Sequence, residues 1–581
     1  MKKNNFILIM RFLILATSQR RLWTAALVFG GLSGLISLAN PLVAKFIVDD
    51  GLLKKDLRQF ILFAGISAVI YICGELASRA RDWYKQVIRM KVDFELNRKL
   101  FLHLQRLPLS WFRDKATGSS LFTITHDVEA ISGFITDEVP GFAVSLVRLF
   151  CTAVVAFWLS WKLTLAILLF APLLYLPQDY LARRLSSSCQ ALSDAAQDMY
   201  CYLEEKLSHM QVVKAMAKEK ATARGFIRRL IRSSRIALYN GRTEASFDFL
   251  GGLISKAAIG CIALYAGFQV IGGQITAGAL ATMVLYLGQM IGLLSGLFSL
   301  KADAAAAGVS CGRVAAVLDA EPAAADAPDA RNIDNPSGDI VLDRVSFGYR
   351  PDKPVLRGIS LRIPAGSFVA LAGASGCGKS TLLNLIIRIY EPQEGNIYLG
   401  TEDIRRIRRE SFLSCVGFAF QEPLLWNDSI ANNIRYARED AAFRDIEAAA
   451  GIAGADEFIG VLPRGYDTQI GEDACKLSEG QKQKIALARA LVRRPSVLIL
   501  DEAMASMDSR SEEKILTGIR AQYPSMTVII VSHRLSAIRR SDKVFYLAAD
   551  GSMDQGSADE LLARNREFLG LFGAQTTCGG R

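Results

Sequence analysis

Several short stretches carry residue types suited to a nucleoside triphosphate. "GASGCGKS", Gly373 to Ser380, fits G-x-x-x-x-G-K-[ST]; the apolar run "SFVALA" precedes it and the helix-like run "TLLNLIIRIY" follows. Gly373, Gly376 and Gly378 let backbone N–H groups, those of Ser375 and Cys377 among them, curl around phosphate oxygens. The helix N-terminus adds positive potential. Lys379 would reach the terminal phosphates, Ser380 would ligate Mg2+, and Thr381 continues the loop into the helix. "VLILDEA" ends an apolar strand on two acids, so that Asp501 would hold the Mg2+ shell and Glu502 would polarise the attacking water. "TVIIVSHR" is another such strand, and His533 at its end is a candidate γ-phosphate contact. In "VGFAFQEP", Gln421 would sense Mg2+ and water; Asp508 in "ASMDSR" follows the paired acids; Tyr349 in "SFGYRP" could stack on adenine.

"KLSEGQKQK" adds a helix start. Ser478 and Gln481 fit a capping box, and Glu479 falls in the first turn, where the helix dipole favours an acid. Its carboxylate can point to solvent or toward Lys476 or Lys482, leaving the Ser478 hydroxyl and the N–H groups near Gly480 for phosphate. The competing expectation is a weakened site, because a carboxylate turned inward repels phosphate.

The elements that must position these groups begin at Ile340. From there short apolar strands alternate with helical stretches, the pattern of an α/β domain. Ahead of it lies a different composition. The chain has 581 residues, of which 51% are hydrophobic, and the apolar excess sits before about residue 300. Six runs approach the length of a bilayer span: Leu22–Val48, Phe60–Leu76, Val139–Trp161, Leu163–Tyr180, Phe249–Ile271 and Ala277–Leu300. Loops after the first, third and fifth are short. The segments after the second and fourth, Ala77 to Asp137 and Leu181 to Asp248, are long and rich in Arg and Lys. The positive-inside rule puts them in the cytoplasm with the N-terminus. It also accounts for the net charge of +11 without nucleic acid as a partner. The long segments read as helices continuing beyond the membrane, broken around Leu107 to Leu121 and Leu203 to Lys220.

The expected division is an interfacial helix over 1–21, a transmembrane domain over 22–317, a linker over 318–339 and a nucleotide-binding domain over 340–581. Arg11 and "SQRR" make the N-terminal run a helix at the inner membrane face rather than a cleaved signal. Ten cysteines are scattered without pairing spacing, which argues against a disulfide framework.

In order, the aromatic, the phosphate loop, the glutamine, "LSEGQ", "LILDEA", "SMD" and "SHR" resemble the ATP-binding domain of an ATP-binding cassette (ABC) transporter. Six spans ahead of it in one chain resemble an ABC exporter half-transporter, and the likeness covers essentially the whole chain. It implies an α-helical membrane domain of six transmembrane helices with long cytoplasmic extensions, joined to an α/β P-loop NTPase domain. ATP and Mg2+ are the implied cofactors, alternating access the implied mechanism, and the bacterial inner membrane the implied location, with the ATP-binding domain cytoplasmic. A second half-transporter is the implied partner, each "LSEGQ" facing the other's phosphate loop; the complete motif set in one chain favours a homodimer over a heterodimer. Ser478, Gly480 and Gln481 would then touch nucleotide across the dimer, and the cytoplasmic helical segments would dock near Gln421. Where the family usually has L-S-G-G-Q and S-A-L-D, this chain has "LSEGQ" and "SMD".

For the cargo, Arg148 and Lys256 are charged residues within spans and hence candidate substrate contacts. Two basic groups facing a cavity favour an amphipathic, anionic cargo: a lipid, glycolipid, acidic peptide or drug. Snorkelling or pairing with Asp179 is the structural alternative. The stretch ahead of the first span has no room for a cysteine protease domain, an expectation that lowers leader-peptide processing without excluding peptide cargo; the lack of a periplasmic-type binding module favours export or flipping over import. An exporter-fold importer and an ATP-gated regulator or channel are the alternatives.

Overall fold

The computed structural model describes residues 3–16, 20–114, 117–159, 161–322, 326–333, 337–350, 352–471 and 477–577. They fall into two units, Met1–Ala323 and Ala324–Arg581.

The first unit is all helical: α1 Lys3–Ala16, α2 Arg20–Phe46, α3 Leu57–Leu104, α4 Leu109–Asp114, α5 Thr117–Phe122, α6 Val128–Gly133, α7 Val139–Leu159, α8 Trp161–Ser208, α9 Met210–Ala215, α10 Glu219–Ile271 and α11 Ala277–Leu318. Among the described residues, five stretches are long and apolar enough to cross a membrane: Arg20–Leu52, Leu57–Leu104, Gly118–Leu159, Glu219–Ile271 and Ala277–Leu297. The fourth expected span, Leu163–Tyr180, lies within α8, where most of its side chains, Asp179 included, fall outside the described residues. Helices α3 and α8 have 48 residues each and α10 has 53. At about 1.5 Å per residue these are roughly 70–80 Å long, more than twice a hydrocarbon core of ~30 Å. The two expected breaks are where the short helices α4, α5 and α9 sit, and Pro108 immediately precedes α4.

Trp158 and Ile271 are 84% and 86% exposed. Apolar surface of that kind belongs against lipid or another copy of the chain. Inward, α2 buries a stripe of Ala26, Gly30, Gly34, Leu38 and Pro41, of which the first three are small residues that let membrane helices approach. Its outer half is stitched to α11. The Thr282 hydroxyl donates to the Pro41 carbonyl at 2.7 Å, and the Tyr286 hydroxyl donates to that of Leu38. Beyond them Asp49 accepts from the Thr276 hydroxyl at 2.6 Å and from the Gly278 N–H at 2.8 Å. Toward the other end of α11, Arg313 grips the buried Asp127 with two hydrogen bonds of 2.7 and 2.8 Å. Asp127 ends a π-helical turn, Thr123–Asp127. Helix α1 packs along α11, and Arg11 donates to Asp319 at 2.7 Å.

The second unit has two sheets. Strands β1 Ile340–Phe347, β2 Leu356–Ile363, β4 Glu394–Leu399 and β5 Glu402–Asp403 form an antiparallel sheet in the order β2-β1-β4-β5. Strands β3 Phe368–Gly373, β6 Val416–Ala419, β7 Val497–Asp501, β8 Thr527–Val531, β9 Lys543–Leu547 and β10 Met553–Gly556 form the other, ordered β10-β9-β3-β8-β7-β6. Every neighbouring pair in it is parallel except β10 with β9. Strands β3, β7 and β8 are buried along their whole length, as their unbroken apolar runs require. The helices that concern the site are α12 Lys379–Ile386, α13 Arg409–Ser414, α14 Ile430–Arg435, α15 Phe443–Ile452, α16 Asp456–Ile459, α17 Glu479–Leu491 and α18 Ser509–Gln522.

Candidate functional site

Parallel neighbours end on the same edge of a sheet, which is where such folds bind ligands. Gly373 ends β3, Gln421 lies just beyond β6, Glu502 follows β7, and His533 follows β8 by two residues. The strand order β3-β8-β7-β6 therefore gathers four segments scattered over 160 positions of sequence onto one rim. There the Gln421 amide donates to Glu502 Oε2 at 3.0 Å, and His533 Nε2 lies 2.9 Å from Glu502 Oε1. Both carboxylate oxygens of Glu502 are thus held from opposite sides. Its backbone is left-handed, with φ +50°, a conformation costly for a non-glycine residue and typical of functional sites.

The loop between β3 and α12 is tight. Gly378 has φ +107°, and a Cβ there would stand 2.8 Å from Leu356 Cδ2; glycine is needed on both counts. Lys379 is buried and donates to the carbonyls of Gly373 and Ala374, both at 2.9 Å, which holds its ammonium across the mouth of the loop. The Tyr349 hydroxyl is 3.1 Å from Thr381 Oγ1, and its ring packs edge-on against Phe347 and Tyr390.

Asp501 is buried, and its carboxyl is hydrogen-bonded to Ser380. Burial pushes this carboxyl above its ordinary range; the Ser380 hydrogen bond opposes the shift, the Glu502 charge adds to it and Lys379 offsets it. A group in that position gains from a cation. The donors are all oxygen, the set a Mg2+ ion prefers. Among the described residues no group of three or more His, Cys, Asp or Glu could hold a metal ion by itself.

Ser478 caps α17. Its hydroxyl accepts from the Gln481 N–H at 3.3 Å, and the Gln481 side chain accepts from the Ser478 N–H at 2.9 Å. Glu479 is exposed and 3.7 Å from Lys482, while Lys476 lies outside the described residues. Asp508 is the cap of α18, accepting from the Ser511 N–H at 2.8 Å and from the Ser511 hydroxyl at 2.7 Å.

Three arginines that the sequence did not single out also shape this rim and the membrane unit. Arg489 near the end of α17 donates to the carbonyls of Leu424 and Asn433, at 2.7 and 2.8 Å, tying the Gln421 loop to α17. Burial lowers its guanidinium to about 10. Arg534 clamps the segment after Glu502. In the membrane unit, Arg81 of α3 and Arg148 of α7 both lean on α2, their stems beside Gly30 and Gly34. Their only sequence signal was basic residue type.

Sequence comparison agrees with this geometry. The family described as "ABC transporter transmembrane region" matches residues 23–294, and that described as "ABC transporter" matches residues 356–505. A relative described as an ATP-dependent lipid A-core flippase, from Syntrophus aciditrophicus, is 30% identical over 97% of this chain and 94% of its own length. The chain belongs to the ABC transporters. This ABC transporter is also similar to the lipid A-core flippase of Salmonella typhimurium, at 30% identity over 96% of this chain and 97% of that one. The cyclolysin secretion/processing ATP-binding protein of Bordetella pertussis is 32% identical over 93% of this chain and 76% of its own length. A solved bacterial Atm1-family ABC exporter with ATP bound superposes with TM-score 0.89 and 27% identity, covering 96% of this chain and 99% of that one. The transporter is thus an integral membrane ATPase of the exporter type, with its P-loop NTPase domain and its transmembrane domain in one chain.

Its two candidate cargo residues sit differently. Arg148 is half-buried, with Nε enclosed and without a hydrogen-bond partner. Lys256 is exposed on α10.

Proposed function

We propose that the chain works as a homodimeric exporter or flippase that moves an amphipathic, anionic lipid-like substrate out of the cytoplasmic side of a bacterial inner membrane. One observation carries the substrate class. The stems of two arginines from different helices are seated on glycines one turn apart on α2: a Cβ at Gly30 would meet Arg81 Cδ at 3.3 Å, and one at Gly34 would meet Arg148 Cδ at 3.7 Å. Arg81 pairs with Asp82 at 2.9 Å, whereas the enclosed Arg148 Nε has no hydrogen-bond partner, which leaves Arg148 short of an anion. Charge in a membrane span, as at Arg148, is a functional feature by default, and a guanidinium matches the oxygens of a phosphate. The lipid A-core flippases among the relatives point the same way.

In the nucleotide site the residues divide the work. The amides of the Gly373–Ser380 loop and Lys379 neutralise phosphate oxygens; Tyr349 supports the base. Ser380 and Asp501, with Gln421, would hold Mg2+, which supplies charge neutralisation of the phosphates. Glu502 orients water and takes its proton, with His533 and Gln421 fixing the carboxylate. Ser478, Gly480 and Gln481 of one protomer would close on the nucleotide held by Lys379 of its partner.

The test is ATPase activity of the purified protein in phosphatidylcholine vesicles, with and without lipid A or phosphatidylglycerol. Stimulation by an anionic lipid, lost in Arg81→Ala and Arg148→Ala but kept in Lys256→Ala, is the expected result. Equal stimulation in all four proteins would remove the arginine pair from the substrate path.

A further inference from the structure

The segment 503–508, between Glu502 and α18, touches both the hydrolytic end of the site and the Ser478 helix. Arg534, next to His533, reaches it first. Its guanidinium donates through Nη1 to the Met507 carbonyl at 2.7 Å and through Nη2 to the Ala505 carbonyl at 2.8 Å. Nη1 also donates to Glu512 Oε2 at 3.1 Å, and Glu512, on the first turn of α18, is buried. The Arg534 N–H donates to the Ser532 hydroxyl at 3.1 Å, which fixes the turn that presents His533. Beside these contacts lies a cavity of about 100 Å³ lined by Glu502, Ala503, Ala505, Glu512, Ser532 and Arg534. Ala503, Met504 and Met507 anchor the segment in the domain core, and the arginine adds directed bonds to its backbone.

Its far side meets α17. The Ser506 N–H donates to Gln483 Oε1 at 3.1 Å, and Gln483 is buried. The Ser506 carbonyl would stand 3.2 Å from a Cβ on Gly480, so backbone meets backbone there. Ser478, Gly480 and Gln483 share the first turns of one rigid helix.

We propose that Arg534 is a positioning residue: with Gln483 it makes the 503–508 segment a strut between the Glu502–His533 end of a chain's own nucleotide site and its own Ser478 helix. The strut rests on the homodimer reading, in which the Ser478 helix closes on the partner's nucleotide. Carbonyl acceptors suit such a strut, because a planar guanidinium fixes the direction as well as the distance of what it holds.

ATP hydrolysis by the full-length protein in bilayers tests this with Arg534→Gln, Gln483→Ala and the double variant. Misalignment of about 1 Å costs up to about 100-fold in rate, so each single variant should lose roughly 10-fold or more in kcat, with KM for ATP changed less than about 3-fold. The double variant should be no slower than the slower single one, because both cut one strut; independent structural damage would multiply. If Arg534→Gln fails to fold, Gln483→Ala alone decides, its Tm recorded beside its kcat. Single variants within about 2-fold of the parent kcat, or losses that multiply, overturn the proposal while the parent's activity keeps the transport reading intact. An inactive parent overturns the transport reading and the strut with it.

Discussion

Glu502 receives two partners on its two oxygens, one from each flanking strand end, Gln421 after β6 and His533 after β8. A carboxylate so held can take a proton from water in one geometry only. Glu502→Gln should keep the shape and lose the base, lowering kcat by about 100-fold or more while ATP binding, read by a fluorescent nucleotide, stays close to the parent. Hydrolysis at the parent rate would show that the base is elsewhere. At this scale the sequence was most legible where function sits in contiguous types: the glycine loop, the paired acids, the histidine at a strand end. Arg534 was printed in the same "SHR", but its partners are the carbonyls of Ala505 and Met507, which every residue type supplies. Arg81 is illegible in the sequence for a related reason. It follows the apolar run Phe60–Leu76, yet α3 continues through it without a break, and which helix it leans on is a matter of tertiary register.

Helix α17 shows how an element tolerates an unusual residue. The capping box is complete, and Glu479 turns toward Lys482 on the exposed side of the first turn. An exposed pair of this kind contributes well under 1 kcal/mol, so Glu479→Gly should leave ATPase activity within about 3-fold of the parent. Ser478→Ala should do more. It removes a cap of about 1 kcal/mol and the hydroxyl expected at the partner's nucleotide, so both Tm and kcat should fall. A Glu479→Gly rate raised 10-fold or more would mean the acid does repel phosphate. The strand-and-helix alternation after Ile340 could be read because each buried strand is one apolar run. The π-helical turn that carries Asp127 to Arg313 could not, since one extra residue in a turn leaves no mark on residue type.

For the molecule as a whole, the long helices make charge below the membrane a question of stability. Asp303 lies on α11 beyond its apolar stretch, by a cavity of about 360 Å³ that Glu138, Cys189 and Arg313 also line. Burial first, then the charges of Glu138 and Glu244, push its carboxyl from 3.8 up to about 6. A carboxyl raised on folding binds its proton more tightly in the folded state. Its contribution is favourable in acid, declines between about pH 4 and pH 6, and is a fixed penalty above that. Asp303→Asn should therefore raise Tm at pH 7.5 and leave it unchanged near pH 4, as thermal unfolding across a pH series would show. A variant no more stable than the parent at pH 7.5 would contradict this placement of charge.

The stitching of α2 to α11 has a mechanical side. Asp49, Leu38 and Pro41 hold one flank of a seam whose other flank, Thr276 to Tyr286, begins the helix that ends at Leu318. In sequence, α11 is the last helix before the second unit, which begins at Ala324. A pull on the Leu318 end of α11 is carried along one continuous helix, and at the seam α2 is obliged to follow it.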